Sequence, residues 1–108
     1  MVRKDLSLPQ QAVQSCHAAI EATRLFITSQ HSHPHLVLCG VRDESVLRRE
    51  ASRLEFDGVR FASFYEPDRG NELTAIATEP IVGEGRHCFR RYNLLDEECV
   101  SSRARYPP

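Results

Sequence analysis

The sequence has almost no lysine: Lys4 stands alone beside thirteen arginines. Against fifteen acidic residues this leaves a formal net charge of −1, without the basic excess of a dedicated nucleic-acid binder. A local basic face stays open, since arginine suits phosphate contacts. No apolar run approaches the roughly eighteen residues of a membrane span, and no charged-then-apolar leader precedes a cleavage site, so a cytoplasmic protein is expected. Cys16, Cys39, Cys88 and Cys99 form no C-x-x-C pair and no dense framework. Reduced thiols in a reducing compartment are the expectation, with Cys16 and Cys39 acting as small hydrophobes within apolar stretches. A phosphate-cradling glycine loop, a nucleophile elbow and a zinc signature are all missing. Composition and spacing therefore name no enzyme class.

What is present is an ordinary globular balance: 41% hydrophobic and 27% charged residues over a length of 108, enough for one domain. Met1 to Asp5 reads as a strand. Ser7 and Gln10 have capping-box spacing, with Pro9 in the first turn of a helix expected over about 8–28. Val13, Cys16, Ile20, Thr23 and Ile27 recur at helical spacing, with His17 at the edge of the stripe. Leu36 to Val41 is a continuous apolar run, as in a strand covered on both faces. Asp43 caps a second helix, about 43–56, carrying Leu47, Ala51 and Leu54, and Gly58 stops it. Arg48, Arg49 and Arg53 on its other face read as solvated surface. Val59 to Tyr65 and Leu73 to Thr78 read as strands joined by turn chemistry at Pro67 to Asn71. In the second of these, alternation groups Thr74 with Ile76 and Thr78, opposite Leu73, Ala75 and Ala77. A further short element is expected within Arg86 to Leu95. The fold class is α/β: a single small domain, residues 1–96, with a four-stranded mixed sheet packed by helices on both faces, followed by a flexible tail over 97–108.

Within this frame Val2-Arg3-Lys4-Asp5-Leu6 is followed by Ala12-Val13-Gln14-Ser15-Cys16-His17-Ala18-Ala19. That order resembles the type 2 peptidyl-tRNA hydrolases, in which a strand ending V-R-x-D-L precedes A-Q-x-x-H-A-A on the first helix. The family also places an acid after an aromatic or apolar strand, then a turn, then a threonine opening the last strand. Here those positions are Glu66, the turn through Asn71, and Thr74. The resemblance implies hydrolysis, by water, of the ester joining a peptide to the 3′ end of tRNA, in the service of translation and without metal or organic cofactor. It implies His17, Glu66 and Thr74 as the catalytic group and Arg3, Gln14 and Asn71 as substrate contacts. The partner is then tRNA, with no membrane, and a homodimer stays open. Imidazole suits the chemistry because it takes and returns protons near neutral pH, and a carboxylate beside it fixes its tautomer.

The chain departs from that pattern in three places. Gln10 and Gln11 stand where a lysine commonly precedes the A-Q-x-x-H motif, Glu66 stands in place of an aspartate, and only Met1 and Val2 precede Arg3. The missing cation favours a second reading, a catalytically weakened relative that binds RNA or protein in a regulatory role. Other clusters carry less. His31-x-His33-x-His35 has imidazoles that suit a transition metal, but no cysteine or carboxylate lies close by, and an exposed polar loop is the expectation. Cys16 and His17 are consecutive on a helix, about 100° apart, and do not face each other; Cys16 is expected to be buried. Arg86, Arg90 and Arg91 suit phosphates and equally suit plain surface.

Overall fold

The computed structural model describes residues 1–28 and 34–95. Its elements follow the order β1 (Val2–Arg3), α1 (Leu8–Phe26), β2 (Gly40–Val41), α2 (Glu44–Phe56), β3 (Phe61–Glu66) and β4 (Glu72–Thr78), with 3₁₀ turns at Pro67–Arg69 and Gly83–Phe89. The helices begin where the capping chemistry predicts. The Ser7 hydroxyl accepts the Gln10 backbone N–H at 3.3 Å, and the Asp43 carboxylate accepts that of Val46 at 3.0 Å. Gly58, at φ 79°, turns the chain out of α2. The expected tail, 97–108, lies outside the described residues, as do His31 and His33; His35 is exposed. Among the described residues no helix is long and apolar enough to cross a membrane.

The sheet is mixed and runs β2-β1-β4-β3. β1 pairs parallel with β2 and antiparallel with β4, while β3 and β4 form the expected hairpin. Two packed layers cover it. On β4, the consecutive residues Ala75 and Ile76 enter different clusters: Ala75 joins Val2, Leu6 and Ala18 under α1, and Ile76 joins Val41, Leu47, Leu54, Leu73 and Tyr92 under α2. Neighbouring strand residues point to opposite faces, so α1 and α2 pack on opposite sides of one sheet.

Three sequence expectations are corrected. The run Leu36 to Val41 is no strand covered on both faces: only Gly40 and Val41 are strand, β2 lies at the sheet's edge, and Leu36 is 82% exposed. The segment around Cys39 is instead flanked on its outer side by chain from the C-terminal part, through Gly40 N–H to Asn93 O at 3.0 Å and Leu95 N–H to Leu38 O at 2.9 Å. The stripe through Val13, Cys16 and Ile20 is helical in period but faces water, with Val13 47% and Ile20 56% exposed and Cys16 exposed as well. The buried face of α1 is Gln11, Gln14, Ala18 and Ala22. Finally, the pairing of β3 with β4 shifts register: Phe64 opposes Ala75, yet Tyr65 opposes Leu73. Thr74 is thus the extra residue of a β-bulge. The bulge breaks the simple alternation, so that Leu73 and Ile76 share the α2 side.

Candidate active site

Gln14 is the centre of the arrangement. It lies on the inner face of α1 and is only 1% exposed, so each polar atom of its amide needs a partner. Its Nε2 donates to Glu66 Oε2 at 2.8 Å and to Gln10 Oε1 at 3.2 Å. Its Oε1 accepts the Thr74 hydroxyl at 2.7 Å. An ionised carboxylate only accepts, which fixes the amide with nitrogen toward Glu66 and oxygen toward Thr74. Residues far apart in sequence are joined here because α1 crosses over the β3–β4 hairpin.

Glu66 is the last residue of β3 and caps the following 3₁₀ turn, accepting the Asp68 backbone N–H at 3.2 Å through its other oxygen. The Gln14 amide holds its carboxyl below the usual carboxylate range, the Asp68 N–H adds to this, and His17 adds an electrostatic pull. The turn returns through two left-handed residues, Gly70 at φ 67° and Asn71 at φ 61°, and the Asn71 N–H closes onto the Glu66 backbone carbonyl at 2.9 Å. Asparagine tolerates that conformation better than most residues. Asn71 thereby shapes the turn, and its side chain is exposed.

Thr74 has no accessible surface. The bulge turns it toward α1, where its hydroxyl reaches Gln14, with the Phe64 carbonyl at 3.3 Å. The Thr74 hydroxyl thus faces the Gln14 amide and not solvent. His17, one turn beyond Gln14, is exposed and lies flat against Phe64 with ring centroids 4.4 Å apart and planes 7° apart. One imidazole face is covered by Phe64, while the residue as a whole is exposed. Among the described residues no hydrogen bond joins His17 to Glu66 or Thr74; the direct partner of both is Gln14. Phe64, which sequence reasoning passed over, is what orients the imidazole.

Arg3 is placed differently from the substrate contact that the resemblance implies. Its guanidinium, nearly without exposure, donates to Asp5 at 2.9 and 2.8 Å, to Glu72 at 2.8 Å and to the Leu73 carbonyl at 3.2 Å. Four of its five N–H donors are thus spent inside the fold, and hydrogen bonding to Asp5, ahead of Glu72, raises its pKa. It braces β1 against the start of β4. Gln11 adds a second brace, its Nε2 donating to the Leu6 carbonyl at 2.8 Å. No group of three or more His, Cys, Asp or Glu side chains among the described residues is arranged to hold a metal ion. Against protein-family models, curated proteins and solved structures, the chain gives no match.

Proposed function

We propose that the protein hydrolyses the ester between a peptide, or a related acyl group, and the 3′ end of tRNA, as a type 2 peptidyl-tRNA hydrolase-like enzyme. The observation that carries this reading is the Glu66–Gln14–Thr74 hydrogen-bond chain beside an accessible His17. The two short motifs behind the resemblance, distant in sequence, supply all four residues. In this reading neutral His17 takes a proton from water as the resulting hydroxide bonds to the ester carbonyl carbon. The bond from that carbon to the ribose oxygen then breaks, and the imidazolium returns its proton to the departing oxygen. Glu66 stays ionised and couples electrostatically to His17. Gln14, locked by Glu66 and Thr74, keeps the carboxylate in place at little entropic cost when substrate arrives.

The alternative, a relative that binds without turnover, has its own support. Gln10 occupies the position of the family's lysine and contributes a neutral carbonyl to Gln14, while Arg3 is committed to Asp5 and Glu72. Incubating the intact protein with peptidyl-tRNA and measuring freed peptide separates the two. Catalytic, concentration-dependent release supports the hydrolase. RNA retained with its peptide still attached supports the binding module.

A further inference from the structure

The outer face of α2 carries Arg49, Ser52, Arg53 and Phe56, spaced as neighbours on one helical stripe. Arg91 folds against that stripe, and with Asp57 these side chains line an open cleft of about 450 Å³. Behind the lining lies buried Glu50. Its carboxylate is approached by Arg49 at 3.2 Å, Arg53 at 3.3 Å and Arg91 at 3.5 Å, while Arg91 also lies 3.5 Å from Asp57. Three cations thus share two carboxylates. Each guanidinium offers five N–H donors, and each carboxylate takes about four at most, so the cluster has donors and positive charge to spare for an incoming anion. The side chains of Arg49 and Arg53 are more than half exposed, and Phe56 beside them is 92% exposed.

An open aromatic face beside arginines that carry a surplus of positive charge matches one ligand chemistry well: a flat heteroaromatic base joined to a phosphate. We propose that this cleft binds a nucleotide, with its phosphate on Arg49, Arg53 and Arg91 and its base stacked on Phe56. α2 packs on the face of the sheet opposite α1, so the cleft is separate from the Gln14 site and does not depend on the hydrolase reading. The same chemistry is offered by a free nucleotide and by an unpaired nucleotide in an RNA strand, whereas a duplex hides its bases.

Fluorescence anisotropy of a labelled single-stranded RNA of about ten nucleotides, a length within the usual site sizes, tests this with the intact protein. AMP, inorganic phosphate and a duplex RNA serve as competitors. The expected result is binding that weakens as salt rises, about tenfold weaker for Phe56→Ala and retained in Phe56→Trp. Arg53→Ala is expected to weaken it too and to reduce the salt slope by about one. Displacement by AMP assigns the cleft to free nucleotides, and resistance to AMP assigns it to the strand; either outcome sustains a nucleotide site. Failure of both RNA and AMP to bind overturns the proposal. So does duplex or inorganic phosphate competing as well as single strand or AMP, or a Phe56→Ala protein that binds unchanged. Phe56 is exposed, so its replacement leaves the core intact and the result interpretable.

Discussion

At the scale of single residues, the site depends on an amide that can point only one way. Thr74→Val keeps the shape of the side chain but removes the donor to Gln14 Oε1, leaving a buried oxygen unpaired. The expected cost is about 1–3 kcal/mol, read as a lower urea midpoint, together with a fall in peptide release; Thr74→Ser restores much of both. Glu66→Gln keeps an acceptor for Gln14 yet removes the negative charge that makes that bond charge-assisted, so turnover is expected to fall, though less than in His17→Ala. Motif spacing singles out Gln14, His17, Glu66 and Thr74 in the sequence, and of these the structure joins Gln14, Glu66 and Thr74 by hydrogen bonds. The His17–Phe64 stack was not legible there, because nothing in the aromatic run Phe61 to Tyr65 says which of its alternating faces meets α1. Nor did any sequence signal announce the bulge at Thr74, which arises from how β3 and β4 pair and not from either strand alone.

Among elements, α1 shows how far periodicity reaches. Its period was readable, but the apolar stripe through Val13 and Ile20 faces water while glutamines and alanines face the sheet. Small side chains at Ala18 and Ala22 let the helix approach closely enough for Gln14 to touch both Glu66 and Thr74. Ala18→Leu is therefore expected to destabilise by about 1–3 kcal/mol through overpacking, whereas Ile20→Ala stays within about 0.5 kcal/mol. Thermal melts of the two variants check this, and the reverse ranking would contradict the packing described. On the other face α2 behaves as its sequence reads. Leu47 and Leu54 are fully buried, and Leu54→Ala is expected to cost about 2–5 kcal/mol in chemical unfolding, a large share of a small domain's stability. The run Leu36 to Val41 misleads because apolar content does not by itself bring coverage. β2 has only two residues in register with β1, and Leu36 to Leu38 remain exposed.

For the molecule as a whole, charge is balanced by local pairing, and this sets its response to pH. Hydrogen bonds and arginine partners hold Asp5, Glu44, Glu66, Glu72 and Glu79 below the usual carboxylate range. A depressed carboxyl contributes stability that is fully present above its ordinary pKa and is lost as pH falls through the depressed value. Urea midpoints are thus expected to hold steady down to the ordinary carboxylate range and to fall below it. Burial, with Glu50 beside it, pushes the Tyr92 phenol up to about 12; that contribution is fully present below the ordinary value of 10.0 and is lost as pH rises toward 12. On the proposed reading, His17 carries the hydrolysis of peptidyl-tRNA. The most direct test of that reading is single-turnover release of peptide from peptidyl-tRNA by wild type and His17→Ala, with melting temperatures taken on the same samples. Release by wild type, a loss of about 10²-fold or more in the variant, and closely similar melting temperatures are expected, since His17 is exposed. Equal release from both proteins, or no release from wild type, would contradict it.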